Sequence, residues 1–149
     1  MAVMIVLDTN IISELLRPAP NKQVEAWLSA QDGENVYFTT VGEAELQYGL
    51  ALLPAGKRRN ALSKAVEEIL DEDFQDRILA FDRAAARAYA VIAAARRAAG
   101  RPISQFDCQI AAITRANEAV LATRNTADFE GCGIRLIDPW KQGSFPENP

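Results

Sequence analysis

The feature that most constrains the fold is the first apolar run, residues 3–7, which ends directly in Asp8. A continuous run of Val, Met, Ile and Leu side chains predicts a strand buried on both faces, as in the centre of a parallel sheet. Ligands of open α/β sheets bind beyond the carboxyl ends of the strands, so Asp8 lies where a functional carboxylate is expected. A second interpretation is structural, because Asp8 or Asn10 can cap the helix predicted at residues 11–16.

Short apolar runs alternate with helical patterns along the rest of the chain. We predict strands at residues 3–7, 36–38, 77–81, 120–123 and 134–137, and helices at residues 11–16, 22–28, 41–53, 57–70, 83–99 and 104–117. This alternation is typical of βαβ units and of an α/β fold with a mostly parallel sheet. A chain of 149 residues that is 49% hydrophobic can bury one core. We therefore expect residues 1–149 to form a single domain with an irregular tail from about residue 139.

The sequence also limits the compartment. None of its apolar runs approaches the roughly 20 residues that cross a bilayer, and residues 1–7 lack the basic flank and cleavage site of a secretory signal. We therefore expect a cytoplasmic protein without membrane contacts. Its two cysteines, Cys108 and Cys132, fit neither a zinc spacing nor a disulfide framework, and both are expected to be reduced.

The chain contains no histidine, which excludes Ser-His-Asp triads, Cys-His dyads and histidine-ligated zinc sites. Any catalysis must therefore use carboxylates, a metal ion or both. The net charge of -4 argues against a general nucleic-acid-binding protein. Divalent cations bound by the acids would weaken that argument, because they reverse the charge that a phosphate meets.

Two further acids lie on helix faces that are otherwise apolar. Glu45 shares its predicted face with Val41, Gly49, Leu52 and Leu53, and Asp107 shares its face with Ile103, Ile110, Ala111 and Thr114. An ionised acid on a core face is costly unless a cation or hydrogen-bond donors accompany it. Structural alternatives stay open, because Glu45 can pair with a buried arginine and Asp107 can belong to a capping box that begins at Ser104. The recurrence of such acids after Asp8 favours a metal site.

Four segments carry a family resemblance. They are Leu7-Asp8-Thr9-Asn10 with Ile12-Ser13-Glu14, Ala44-Glu45-Leu46 with Tyr48-Gly49, Asp107 with Gln109-Ile110-Ala111-Ala112, and Ala122-Thr123-Arg124-Asn125-Thr126 with Asp128-Phe129. In order and spacing they resemble PIN-domain ribonucleases, and more narrowly the VapC and FitB toxins of bacterial type II toxin-antitoxin systems. The resemblance implies a three-layer α/β/α sandwich, an acidic groove at the strand ends, Mg²⁺ or Mn²⁺ as cofactor, and endoribonuclease activity.

The resemblance assigns roles position by position. Asp8, Glu45 and Asp107 match the first three acidic positions. Asp8 and Asp107 are then the main metal ligands, and Glu45 either orients a water molecule or binds a second ion. The fourth position is less clear, because FitB-like members have an acid where this chain has Asn125, and the nearest carboxylate is Asp128. Asn125 adds no negative charge, so the sequence leaves the number of metal ions open.

A hydrolytic mechanism follows from these ligands. A metal ion held by hard oxygens polarises the scissile phosphate and lowers the pKa of a bound water, which attacks in line and leaves a 5′-phosphate on one product. Substrate-binding roles are expected for Thr9, Thr123, Arg124 and Asp128. The basic groups available to the RNA backbone are Lys57-Arg58-Arg59, Arg96-Arg97 with Arg101, and Arg124. We favour Arg124, and expect Arg96 and Arg97 to form a solvated helix C-terminus.

Several apolar residues exceed what one small core needs, namely Trp27, Leu50, Leu52, Leu53, Trp140 and Phe145. In the toxins that the chain resembles, such surface binds a second toxin copy and a cognate antitoxin, which inserts a basic side chain among the acids. The resemblance therefore implies a homodimer, a VapB-like antitoxin, an RNA substrate, and contact with operator DNA only through the antitoxin.

Two other functions fit parts of the sequence. Asp8 could be the nucleophile of a Mg²⁺-dependent phosphatase or a receiver-type phosphoacceptor. A dehalogenase-like motif, however, requires Asp at the position of Asn10, and a receiver domain requires a lysine after the strand at residues 120–123. The other alternative is a non-catalytic binding module that kept the fold and lost cleavage through Asn125.

Overall fold

The computed structural model describes residues 3–141. Within this range the strands are β1 (Ile5–Leu7), β2 (Val36–Thr39), β3 (Ile78–Leu79), β4 (Val120–Ala122) and β5 (Arg135–Ile137). The α-helices are α1 (Thr9–Leu15), α2 (Lys22–Ser29), α3 (Thr40–Leu52), α4 (Lys57–Glu68), α5 (Arg83–Ala98) and α6 (Gln105–Ala116). Short 3-10 turns at Gly33–Asn35 and Thr126–Phe129 and a π-helical turn at Ile69–Asp73 complete the described chain.

The strands form one sheet in the order β3-β2-β1-β4-β5, and every described pair is parallel. From β1 the sheet extends in one direction through β2 to β3. The next strand in the sequence, β4, then pairs with the other side of β1. The strand order therefore reverses between β1 and β4, which is the point where open α/β sheets bind ligands. Asp8 follows β1 at this reversal, and its backbone N–H donates to the carbonyl of Ala122 at the end of β4.

Helices cover both faces of the sheet, as the alternation of side chains along each strand requires. Val6, Leu121 and Leu136 belong to a core shared with α5 and α6. The adjacent residues Leu7 and Ala122 point to the opposite face, where α1, α2 and α4 contribute the core. The predicted three-layer α/β/α sandwich with a parallel sheet is confirmed.

The order of the elements matches the prediction, but several bounds differ. β1 begins at Ile5 rather than at residue 3, and β3 has two residues instead of five. Apolar runs mark burial, whereas a strand extends only as far as a neighbouring backbone pairs with it. The helix predicted at residues 57–70 ends as α4 at Glu68 and continues as the π-helical turn. No helix in the described part of the chain is long and apolar enough to cross a membrane.

The apolar residues predicted to be surplus fall into three groups. Trp27, Leu50 and Trp140 are partly buried against the core on the α1 face, so the expectation that they lie free for a partner was wrong. Leu53 is half-buried, but Leu52 on α3 is 66% exposed, as is its neighbour Tyr48 at 68%. Phe145 lies outside the described residues.

Candidate active site

Asp8 lies at the reversal of strand order and is only 6% exposed. Its Oδ1 accepts a hydrogen bond from the backbone N–H of Thr9 (2.8 Å), so Asp8 caps α1. Its Oδ2 accepts hydrogen bonds from the hydroxyl of Thr123 (2.8 Å) and the side-chain amide of Asn10 (3.3 Å). Capping and a place in the site are therefore compatible, since the two carboxylate oxygens have different partners.

Burial raises the pKa of Asp8 from its usual 3.8 to about 6. Hydrogen bonds from Thr123 and Thr9 oppose this increase, while the negative charges of Asp107 and Glu45 add to it. Because charge interactions decline with distance, the effect of both acids on Asp8 indicates that all three carboxylates share one region. A cation would relieve the cost of keeping them ionised there.

Glu45 projects from α3 toward Asp8, and its Oε1 accepts a hydrogen bond from the Thr9 hydroxyl (2.8 Å). Among residues 3–141 it forms no ion pair with an arginine, which removes the structural alternative for this acid within that range. Its predicted apolar face is not a core face, because Gly49 and Leu52 are exposed.

The helix α3 packs through a different stripe, Val41, Gly42 and Leu46. A Cβ atom on Gly42 would lie 2.5 Å from the ring of Phe38 in β2. The absence of a side chain therefore lets α3 approach the sheet closely at this residue. As a result, Glu45 lies at the edge of a groove of about 590 Å³ between α1, α3 and α4, whose wall also includes Thr9, Leu50 and Arg58.

Asp107 lies in the first turn of α6 and is half-buried. Its backbone N–H donates to the hydroxyl of Ser104 (3.2 Å), which confirms Ser104 as the helix cap. Burial raises the pKa of Asp107, and the negative charge of Asp128 adds to this, whereas Ser104 and the positive charge of Arg96 oppose it. Asp107 is thus both a first-turn acid and a neighbour of two other acids of the site.

Thr123 and Asn125 follow β4. The hydroxyl of Thr123, which is fully buried, donates to Asp8 and accepts from Asn10 and from the backbone N–H of Asn125 (3.1 Å). These contacts place the Thr123 hydroxyl below the surface of the site, where it orients Asp8. The residues Asn125 and Asp128 are both exposed, and Asp128 lies in the 3-10 turn that follows.

Arg124 is exposed at the rim, and its guanidinium carbon lies 5.3 Å from the ring centroid of Trp140. Such stacking holds an arginine in a defined place while its donors stay free for a ligand. Trp140 in turn donates a hydrogen bond to Glu14, a buried acid whose pKa is lowered by the backbone N–H of Asn21 and by Arg17. Trp140 therefore holds Arg124, the predicted substrate-binding arginine, in a defined position.

The oxygens of the site fit a hard divalent cation, although they do not form a closed cage. Between residues 3 and 141, no cluster of three or more acidic or cysteine side chains is close enough to hold a metal ion by itself. Within that same range, the Oδ1 atom of Asn10, beside Asp8, is buried without a hydrogen-bond partner. Mg²⁺ keeps several waters and commonly uses one or two carboxylates, so Asp8 and Asp107 suit it, with Asn10 near enough to Asp8 to orient a water.

The sequence interpretation missed two residues of this region. Asn10, which the sequence offered together with Asp8 as a possible cap, lies inside α1 and bridges Asp8 and Thr123. The expectation of a solvated Arg96 was wrong, because this residue is only 6% exposed. A signal existed, since Arg96 follows Ile92 by four positions and continues the buried stripe of α5.

Comparison with known proteins gives a consistent result. The sequence model of the PIN domain family matches residues 5–131. The chain is 45% identical over 138 residues to the plasmid stability protein StbB of Pseudomonas syringae pv. tomato, covering 93% of this chain and 99% of that protein. It is 42% identical, with the same coverage, to the VapC ribonuclease Y4jK of Sinorhizobium fredii. Toxin FitB of Neisseria gonorrhoeae is 41% identical over 92% of this chain and 99% of FitB.

Solved structures show the same likeness. A structure of FitAB bound to an IR36 DNA fragment superposes with a TM-score of 0.88 at 40% identity, covering 93% of this chain and 96% of that one. The crystal structure of FitAcB from Neisseria gonorrhoeae gives a TM-score of 0.87 at 41% identity, covering 92% and 99%. The likeness therefore extends over nearly the whole fold.

Proposed function

This chain belongs to the PIN-domain family, and on that premise we propose that it is the toxin of a type II toxin-antitoxin system and acts as a Mg²⁺-dependent endoribonuclease. The observation that carries the proposal is the position of Asp8 at the strand-order reversal, where Thr9 hydrogen-bonds to both Asp8 and Glu45, and where burial and the charges of Asp107 and Glu45 raise the pKa of Asp8. Relatives named as a VapC ribonuclease and as toxin FitB support it.

In this proposal Asp8 and Asp107 hold the metal ion, with Mn²⁺ as a substitute for Mg²⁺. The ion, when bound, would neutralise charge on the scissile phosphate and make a water molecule more acidic. Asp8 is well suited to holding it, because hydrogen bonds from Thr9 and Thr123 orient both of its oxygens. Glu45, oriented by the Thr9 hydroxyl, accepts a proton from the attacking water or aligns it.

The exposed residues at the rim supply contacts to RNA. Arg124, stacked on Trp140, is the proposed partner of a backbone phosphate. Single-stranded segments are the expected substrates, because their backbone and bases reach an open groove more easily than those of a duplex. Asn125 and Asp128 follow Arg124 along the chain and are also exposed.

The proposed partners are a second copy of the chain and a VapB-like antitoxin. The exposed Tyr48 and Leu52 on α3 support an interface, and Glu45 of the same helix lines the groove together with Thr9. A basic antitoxin side chain that enters the site would neutralise the acids and displace the metal ion. Operator DNA would be bound through the antitoxin, in keeping with the relative whose structure contains FitAB and a DNA fragment.

The proposal is tested with total bacterial RNA, so that a sequence-specific target is present. We expect the protein to produce fragments with 5′-phosphate ends when Mg²⁺ is present and no fragments in EDTA. The Asp8→Asn protein should not cleave. Glu43→Gln, which alters an acid in the first turn of the same helix as Glu45, is the matched control and should cleave normally.

Three results would contradict the proposal. Undiminished cleavage by Asp8→Asn would remove the assigned site. Hydrolysis of p-nitrophenyl phosphate without cleavage of RNA would favour the phosphatase alternative. Binding of a partner protein without either activity would favour the non-catalytic module.

A further inference from the structure

The guanidinium of Arg96, at the end of α5, is buried against backbone carbonyls rather than acids. Its Nε donates to the carbonyl of Arg101 (2.6 Å), and its Nη1 donates to the carbonyls of Asp128 (3.1 Å) and Glu130 (2.5 Å). Over the range that the structure covers, Arg96 forms no ion pair. A buried cation is costly, and here carbonyl dipoles compensate it.

A second arginine contacts the same turn. Arg101 donates to the carbonyl of Ala127 (3.3 Å) and forms an ion pair with Glu130 (3.2 Å). We call Arg96 and Arg101 the arginine clamp. The clamp donates to carbonyls within and just after the turn Thr126–Phe129, so it satisfies backbone acceptors that the short turn does not bond itself.

The clamp connects two segments that carry acids of the site. One segment runs from Arg101 to Ser104. Ser104 caps α6, and Asp107 lies in the first turn of that helix. The other is the turn that carries Asp128, whose charge acts on Asp107. Because one guanidinium binds carbonyls of both segments, it sets the distance between the two acids.

The chemistry of the contacts requires an arginine. A planar guanidinium presents five donors in a fixed fork, so it can bind carbonyls from two directions at once. A lysine ammonium at the same place keeps the charge but cannot span both segments. A methionine would leave the three carbonyls without their donor.

We propose that Arg96 is a positioning residue that holds Asp128 near Asp107. Asp128, and not Asn125, then fills the fourth acidic position of the site. The inference deepens the proposed ribonuclease function and rests on it for its kinetic consequence. Its structural consequence, an ordered turn with an acid beside Asp107, can be measured without any RNA.

The test compares Arg96→Lys and Arg96→Met with Arg87→Lys and Arg87→Met, which alter an exposed arginine on the same helix. We expect Arg96→Lys to fold, to exchange amide hydrogens of residues 126–130 at least roughly tenfold faster, and to bind Mn²⁺ roughly tenfold more weakly, as loss of a supporting contact does. The kcat for RNA should fall by a similar factor with KM nearly unchanged. The Arg87 variants should match the parent protein.

A double-mutant cycle that combines Arg96→Lys with Asp128→Asn is the decisive test. If Arg96 acts through Asp128, adding Arg96→Lys to Asp128→Asn should cause little further loss of Mn²⁺ affinity. Multiplicative losses, or a loosened turn with parental Mn²⁺ affinity, would overturn the inference. A parent protein that cleaves no RNA would defeat the proposed function instead, and the exchange and Mn²⁺ measurements would still decide the role of Arg96.

Discussion

The two halves of the acidic site are held in different ways. Asp8 and Glu45 are oriented by side-chain hydroxyls from other parts of the chain, Thr123 and Thr9. Asp107, by contrast, is held by Ser104, the cap of its own helix, and Asp128 is held through its carbonyl by Arg96. The carboxylates of the first half are therefore fixed by contacts between distant segments, whereas Asp107 is half-buried with a local hydroxyl partner and keeps more freedom to adjust to a ligand. The proposed metal ion would meet one preorganised acid and one adaptable acid.

The largest expected effect concerns catalysis. Asp8→Asn should lower the rate of RNA cleavage about 10³-fold, and Asp107→Asn about 10²-fold, because the preorganised acid contributes more to the proposed metal site. Single-turnover cleavage in saturating Mg²⁺ measures both rates, with Glu43→Gln as the control. A larger loss for Asp107→Asn would reverse the comparison between the halves.

The next largest effect is on stability, which Asp8→Asn should increase although it lowers the rate of cleavage. Its pKa is 3.8 unfolded and about 6 folded, so ionisation on raising the pH destabilises the folded protein between about pH 4 and 6. The full cost above pH 6 is about 3 kcal/mol. In the absence of metal, Asp8→Asn should therefore be more stable at pH 8 by about 1 to 3 kcal/mol.

Urea unfolding at pH 8 and at pH 4 tests this sign. The advantage of Asp8→Asn should be much smaller at pH 4, where the parent Asp8 is protonated in the folded state and only partly ionised in the unfolded state. Asp107→Asn is the comparison, and its gain should be smaller because Asp107 is only half-buried. An Asp8→Asn protein that is less stable at pH 8 would show that the hydrogen bonds of the carboxylate outweigh its desolvation.

A smaller effect is expected for the hydroxyl that orients Asp8. Thr123→Val should weaken Mn²⁺ binding roughly tenfold and lower the free energy of unfolding by about 1 to 3 kcal/mol, because it leaves buried partners unsatisfied. Thr114→Val is a matched control, since Thr114 is equally buried but its hydroxyl bonds only to Ile110 in its own helix. Equal Mn²⁺ affinities for the two variants would remove the orienting role.

The smallest effect should come from the rim. Arg124→Gln should reduce RNA affinity a few-fold and make the slope of log affinity against log salt shallower by about one charge. Arg135→Gln is the control, because this exposed arginine begins β5 beside Val120 and so lies at the amino ends of the strands, whereas Arg124 follows the carboxyl end of β4. An unchanged salt slope in Arg124→Gln would remove the assigned phosphate contact.

Much of the site was predictable because its signals are local. The run that ends at Asp8 identified a central strand and its carboxyl end, and the Ser104 cap was legible from its position before Asp107. The family resemblance added the order of the acids. The choice between Asn125 and Asp128 was not predictable, because it depends on the path of the turn after β4.

The errors have physical causes of the same kind. Glu45 was assigned to a core face because the helical pattern does not reveal the close contact at Gly42, which belongs to the stripe through which α3 packs. Arg96 was expected in solvent because arginine usually is. Its partners are backbone carbonyls, which every residue carries, so no sequence pattern marks them.

By itself the sequence determined the alternation of strands and helices, the residues that cap the helices, and the supply of acids without histidine. Each follows from the side chains of neighbours in the chain. Only the tertiary structure decided that β4 lies beside β1, that Thr123 reaches Asp8 over 115 positions, and that Arg96 holds the turn of Asp128. These contacts join distant segments, and their energies exist only once burial has removed water from both partners.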